Sequence, residues 1–441
     1  MTAAFPIGSL LLETLKSRPG EKDFVMGKYI ALILWLFFAF DFSIGFAGAE
    51  VKGPDISGFF EIEKRLNISD GITNGDTYGT LYTEANYSPL RDLFTQASLK
   101  ARYYDLPVLE DLPSVSEIES DYPVDLLLWE AYVELSQFLW EDLDLKIGKQ
   151  QIAWGKADKF NPTDNLNPND LTDFLDFEAK VPSLALKASY YVNDYTLTAV
   201  WLPFFEPALF PRGGTAFLFG QRPGRVKLPA KTLENGMFAF KFEGSAFNID
   251  YSFSYFKGFD DIPVVTSLSD SLEIGFPELQ VAGFDFSGEF RSIGFWGELA
   301  LFFPKELRSG PVEIQSDDPF LKYTFGLDYT FTNGIYLEAQ YVRGFFIERG
   351  KDNLHDYLIA KIEKKILNDD LVLSLGGGLE AGEIGRIREN YGTILFPEIS
   401  YQGIGNVEIT AGIYLFEGKK ETSLGGWKEL DQTYVKIKYD F

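Results

Sequence analysis

From residue 55 to its end, the chain alternates apolar and polar positions with a period of two. Over 322–331, Tyr323, Phe325, Leu327, Tyr329 and Phe331 share one face, while Lys322, Thr324, Gly326, Asp328 and Thr330 share the other. Over 246–255, Phe247, Ile249, Tyr251, Phe253 and Tyr255 oppose Asn248, Asp250, Ser252 and Ser254. Val407, Ile409, Ala411, Ile413 and Leu415 likewise oppose Glu408, Thr410, Gly412 and Tyr414. Strand side chains point to opposite faces in turn, so each stretch predicts a strand with one apolar and one polar face. Such stretches fall at 55–67, 78–88, 92–104, 124–138, 142–152, 183–192, 194–203, 235–243 and 246–257. They continue at 277–287, 292–303, 320–332, 334–346, 354–366, 370–380, 391–401, 405–416 and 432–441. The pattern predicts an all-β chain of eighteen strands, with sixteen as the next choice.

The connections separate the β architectures. Turns after even-numbered strands are short: Pro89-Leu90-Arg91, Asn193, Gly244-Ser245 and Asn333. Several connections after odd-numbered strands are long, at 105–123, 153–182 and 204–234. A soluble sandwich has no reason for that asymmetry. A transmembrane antiparallel up-and-down β-barrel does, with short turns on the periplasmic side and long loops outside. Apolar faces ending in Tyr, Phe or Trp fit the aromatic girdles of such a barrel.

The one long apolar run follows Lys28, as YIALILWLFFAF, and Asp41 breaks it short of a membrane span. Small residues follow, with Ala47-Gly48-Ala49 suited to cleavage. Residues 1–49 therefore read as a signal peptide region, with Met26 as the candidate true start, and 50–441 as a single barrel. The net charge of −25, with no compensating basic stretch, argues against nucleic acid. The absence of Cys excludes disulfides and thiolate metal sites.

The chain ends YVKIKYDF, with Val435, Ile437, Tyr439 and Phe441 on one face. This resembles the closing strand of bacterial outer-membrane β-barrels. The resemblance implies that Tyr439 and Phe441 form an assembly signal read by periplasmic chaperones and the barrel-assembly machinery. It also implies contact with outer-membrane lipid and lipopolysaccharide. A second resemblance lies in 148–164, where G-K-Q-x-x-x-W-G-x-x-D-x-x-N-P-x-D includes Trp154, Gly155, Asn161 and Pro162. It resembles a signature of little-characterised proteobacterial outer-membrane barrels near the alginate-export-like porins. Lys149 stands where those proteins usually carry Arg. The resemblance implies a channel or export porin and names no substrate.

Candidate chemistry concentrates in loops. Asn167, Pro168 and Asp170 read as the cap and first turn of a short helix with an apolar stripe at Leu171, Phe174, Leu175 and Phe177. A structured loop of this length, folded inward, would narrow a barrel otherwise wide enough to be open. Its candidate lumenal residues are Asp158, Lys159, Asp164, Asp170 and Asp173; Asp and Asn that merely build turns are the plainer reading. The fourth loop brings Arg212, Arg222 and Arg225, with Lys227 and Lys231. Opposite an acidic loop they would set a transverse field, or they would bind lipopolysaccharide phosphates. Inward faces carry both signs, Lys187, Lys241, Lys322, Lys361 and Lys436 against Asp250, Glu298, Asp328, Glu338 and Glu408. The single histidine, His355, reads as an exposed rim residue. No catalytic grouping, dedicated metal loop or nucleotide fingerprint appears, so neither enzyme activity nor a cofactor is expected. The expected function is an outer-membrane porin for small hydrophilic, anionic or saccharide solutes, narrowed by 153–182. The alternatives are a non-conducting structural or adhesive barrel, or a specific polysaccharide exporter.

Overall fold

The computed structural model describes residues 53–441 except 106–123, 174, 177, 211–223, 268–271, 310–311, 383–384 and 386. The leader expected in 1–49, nearly all of the loop 105–123, Arg212 and Arg222 lie outside the described residues. Eighteen antiparallel strands form one sheet. They are β1 Asp55–Asn67, β2 Thr73–Leu90, β3 Leu93–Asp105, β4 Val124–Leu135, β5 Leu143–Gln150 and β6 Ser183–Val192. Next come β7 Tyr195–Leu202, β8 Met237–Ala246, β9 Ile249–Phe259, β10 Glu278–Phe290, β11 Ile293–Pro304 and β12 Phe320–Thr330. The last are β13 Ile335–Arg343, β14 Asp356–Ile366, β15 Leu371–Ala381, β16 Tyr391–Ile404, β17 Val407–Gly418 and β18 Gln432–Asp440. Each pairs with its neighbour in the chain, and β18 pairs with β1 with Ile62 opposite Ile437, closing the sheet into a barrel. Closure leaves no free edge. Phe441 completes the seam, exchanging backbone hydrogen bonds with Gly58 at 2.9 and 3.0 Å.

Exposure is inverted relative to a water-soluble protein. Phe60, Leu81, Phe253, Leu327, Leu375 and Ile437 are exposed, while Gln150, Ser252, Asp285, Glu298, Thr324 and Glu380 are fully buried. Over most of the sheet, alternate residues thus turn apolar groups outward and polar groups inward. An apolar belt round a closed sheet is stable where lipid replaces water. No helix among the described residues is long and apolar enough to span a membrane.

Two expected turns move and one expected element is absent. The β2–β3 turn is Arg91-Asp92, since Pro89 and Leu90 still belong to β2. The β8–β9 turn is Phe247-Asn248, not Gly244-Ser245; both residues have positive φ, 57° and 61°. Two left-handed residues match the right-handed twist of a two-residue hairpin, and this turn places them without glycine. The short helix expected over 168–177 is not formed among the described residues; that segment is built of turns and bridges. Outside the barrel, Glu273–Gly275 pairs parallel with Arg225–Lys227 and antiparallel with Val264–Ser267.

Candidate functional site

The 151–182 segment does not leave the barrel. Its two ends are tied by Asn167, whose Oδ1 accepts from Ile152 N–H at 2.7 Å. The Asn167 amide donates to the carbonyls of Gln150 at 3.2 Å and Val181 at 3.0 Å. With that side chain committed to three backbone groups, Asn167 does not cap a helix. Neighbouring backbone follows the same course: Asp170 N–H bonds to Ala179 at 2.8 Å and Leu171 N–H to Leu209 at 2.8 Å. Long-range pairing replaces the local helix that the sequence favours.

On one wall the segment wraps a single buried carboxylate. Glu298, on β11, is fully buried. Its Oε1 accepts from the N–H groups of Lys156 at 2.6 Å and Ala157 at 2.8 Å. Its Oε2 accepts from Thr163 N–H at 3.1 Å and Thr163 Oγ1 at 2.8 Å. Successive N–H groups converging on an anion make a strong electrostatic clasp in a dry site. Beside it, Lys241 of β8 donates to the Trp154 carbonyl at 2.6 Å and lies 5.4 Å from its indole centroid.

The opposite wall supplies cations. Arg102 of β3 pairs with Asp170 and donates to Thr172 Oγ1 at 3.0 Å. Arg65 of β1 pairs with Asp173, one of the two hydrogen bonds being 3.0 Å. Burial opposes ionisation of Asp170, but Arg102 and Thr172 overcome it and hold the carboxyl below its ordinary range. From β3 to β11 is eight steps round an eighteen-strand ring, close to diametrically opposite. A segment pinned at both places crosses the lumen. It is a strap.

Apolar packing fills one side beneath it. Ile152, Trp154 and Leu166 of the strap join a buried cluster with Leu202, Met237, Phe256, Leu279, Phe302 and Phe320 from β7 to β12. The lumen wall is therefore apolar at that side, which the mixed-charge reading of the inward faces does not anticipate. Lys241, Lys322 and Glu298 from that reading are buried inside. A cavity of about 260 Å³ remains between the strap and the wall, bordered by Trp154, Phe160, Asp164, Phe302, Lys322 and Arg349.

The expected site residues separate on inspection. Asp170 and Asp173 meet barrel arginines. Lys159 is exposed and pairs with Glu178 at 3.0 Å, while Asp158 borders the cavity. Asp164 keeps one buried oxygen without a hydrogen-bond partner, and burial pushes its carboxyl up against the pull of Lys180. Arg225 lies in the external sheet, 68% exposed and 3.7 Å from Glu273. Trp154 is buried, and Gly155 sits against Glu298. Sequence reading missed Glu298, Lys241, Arg65 and Arg102 as anchors, because nothing local marks a strand residue as the partner of a loop 68 or more residues away. It also misplaced His355, whose side chain is 23% exposed and packed between two carboxylates.

Residues 69–346, spanning every strap anchor but Arg65, match the family described as Protein of unknown function (DUF1302). The chain belongs to this family. No curated protein matches the sequence. Solved structures similar in fold to this DUF1302 protein include OccAB3 of Acinetobacter baumannii, at TM-score 0.51 and 9% identity over 88% of this chain and 99% of that one. OpdK of Pseudomonas aeruginosa, solved with vanillate, gives 0.51 and 10% over 88% and 98%. OccK5 (OpdH) of Pseudomonas aeruginosa gives 0.50 and 10% over 89% and 99%. At these identities the likeness concerns the fold, a porin-type barrel. Together with the apolar belt it places the protein in the bacterial outer membrane.

The 148–164 motif now has a structural meaning. A Cβ on Gly155 would lie 2.1 Å from Glu298 Oε1. A Cβ on Gly148, where φ is 134°, would lie 2.2 Å from the Ala131 carbonyl. Gly155→Ala should therefore loosen the strap at β11 without disturbing the barrel. Faster hydrogen exchange at 155–163 with unchanged strand protection is the expected result. Unchanged exchange would show that the close approach is not needed.

Proposed function

We propose that this DUF1302 protein is an outer-membrane channel for small hydrophilic solutes, with the strap as its fixed constriction. One observation carries the reading: the strap is pinned at nearly opposite walls, through Arg102 to Asp170 and through Glu298 to the 156–163 backbone. A barrel of this strand number encloses more space than its own side chains fill, so a crossing segment sets the free section. Charged groups held on that segment then select among solutes. With the termini in the periplasm, the long connections and the strap entrance face outward. Residues Asp158, Lys159, Asp164, Asp170 and Asp173 form or brace the constriction in this reading.

Anionic or saccharide solutes are the finer part of the proposal. The OpdK structure contains vanillate, which makes a small aromatic carboxylate a sensible first probe. Kinship with alginate-export-like porins rests on the 148–164 motif. Lipopolysaccharide contact and delivery by chaperones and the assembly machinery rest on surface position and on the closing Tyr439 and Phe441. Catalysis has no part in the reading.

Planar-bilayer recording tests it. Folded wild-type protein should give discrete single-channel steps, and deletion of 161–176 should enlarge them. Silence from folded protein of both forms would return the barrel to a structural or adhesive role. Equal steps in both forms would keep a channel but remove the strap as its constriction.

A further inference from the structure

Three donor groups meet at the end of the barrel remote from the termini, away from the strap's own anchors. They are Glu348 and His355 of the β13–β14 connection and Glu380 of β15. His355 Nδ1 lies 2.7 Å from Glu380 Oε1 and 3.5 Å from Glu348 Oε1, and one ligand atom from each residue lies within 4.8 Å of the others. His355 is the single histidine of the chain.

Other donors also hold both carboxylates. Glu380 Oε1 accepts from Ser423 N–H at 2.9 Å and Oε2 from Leu424 N–H at 2.7 Å. Glu348 Oε1 accepts from the Tyr357 hydroxyl at 2.6 Å, and Oε2 from the N–H groups of Phe345 at 2.8 Å and His355 at 3.0 Å. An ionised carboxylate oxygen has two acceptor sites, so each facing oxygen keeps one directed toward Nδ1. Five neutral donors orient the two charges without cancelling either. The nearby guanidinium of Arg343 is taken by Asp356 at 2.7 Å. With a neutral imidazole, two largely buried negative charges therefore face one ligand nitrogen.

We propose that Glu348, His355 and Glu380 form a binding site for a first-row divalent transition ion of the zinc type. An imidazole nitrogen with two carboxylate oxygens suits that class, whereas calcium and magnesium prefer all-oxygen shells. Ligands at about 2.0–2.2 Å from a shared tetrahedral ion stand about 3.3 Å apart. The two separations from Nδ1, 2.7 and 3.5 Å, bracket that value, so small side-chain shifts admit the ion. Partial exposure of His355 leaves room for water at an open position. The hydrogen bonds to Ser423, Leu424, Tyr357 and Phe345 are the outer partners that fix ligands in metal sites.

The consequence is mechanical. Glu380 holds the turn at 423–424 and Glu348 holds Phe345. Phe345 packs on strap residue Phe160 at 5.5 Å between ring centroids and on Tyr357 at 5.3 Å. An ion at this node therefore ties two surface connections together next to the strap. The proposal stands whether or not the barrel conducts.

The test uses full-length folded protein in detergent, stripped with a chelator, dialysed against zinc and assayed by elemental analysis alongside thermal unfolding. Uptake of one zinc per chain with a raised melting temperature is expected, and both should be lost in His355→Ala. Glu348→Gln should lose uptake too, with barrel folding checked by circular dichroism. Absence of stoichiometric uptake by the wild type would overturn the proposal and leave His355 as an imidazolium clasp between two glutamates. Uptake that persists in His355→Ala would place the zinc elsewhere and overturn it equally.

Discussion

Glu298→Gln should free the strap from the β11 wall and raise single-channel conductance, while the barrel itself stays folded. The carboxylate accepts four hydrogen bonds, three from backbone N–H groups and one from a hydroxyl. An amide has one acceptor oxygen, and its NH₂ would face at least one backbone N–H, which cannot accept. Hydrogen bonds to a charged group contribute about 1.5–3 kcal/mol each, and those left unmade in a dry site cost a similar amount. Even with partial rearrangement, a local loss of about 2–3 kcal/mol is expected. The loss is local because β11 keeps its ladders to β10 and β12. Hydrogen exchange should therefore quicken over 155–163 and not over 293–304. Unchanged conductance together with unchanged exchange would mean that the clasp does not hold the strap.

The same site shows which parts of the structure were legible in the sequence. Period-two alternation located all eighteen strands, because inward and outward environments differ so strongly that a one-residue slip would reverse every side chain. It was least informative where both faces are apolar, as in Val200-Trp201-Leu202, Leu301-Phe302-Phe303 and Met237-Phe238-Ala239. Those doubled runs were the available signal for the apolar cluster under the strap: Val200, Leu202, Met237, Ala239 and Phe302 face in and pack on Trp154 and its neighbours. The helix expected at 168–177 failed for a related reason. Asn167 and Asp170 have good helix-start chemistry, but their side chains found partners in Gln150, Val181 and Arg102. Capping is worth about 1 kcal/mol, and buried long-range bonds outweigh it. The turn at Phe247-Asn248 was missed because Gly244-Ser245 carries the more familiar turn composition.

Arg102→Ala is expected to be the most damaging single change at the other anchor, and the contrast with Arg65 gives a ranking. The Arg102 and Asp170 side chains are 6% and 4% exposed, whereas Asp173, the partner of Arg65, is 29% exposed. Removing one member of a buried pair strands the other, at a cost of about 3–5 kcal/mol. Losing Asp173 removes a side chain already 29% in solvent and leaves Arg65 its second carboxylate, Glu63, so the cost is about 1 kcal/mol or less. Arg102→Ala should thus accelerate exchange at 169–173 far more than Asp173→Asn. Replacing both members, as Arg102→Leu with Asp170→Leu, should recover much of the loss, since no charge is then stranded. The pH dependence has a definite sign. Asp170 is held below its ordinary range, so its contribution is present above the unfolded carboxylate value and disappears as pH falls through the lower folded value. The latch should consequently hold unchanged across neutral and mildly acidic pH, and release only in strong acid. Equal exchange in Arg102→Ala and Asp173→Asn would show that burial does not set the ranking. A double variant no better than Arg102→Ala would show that the loss does not come from the stranded charge.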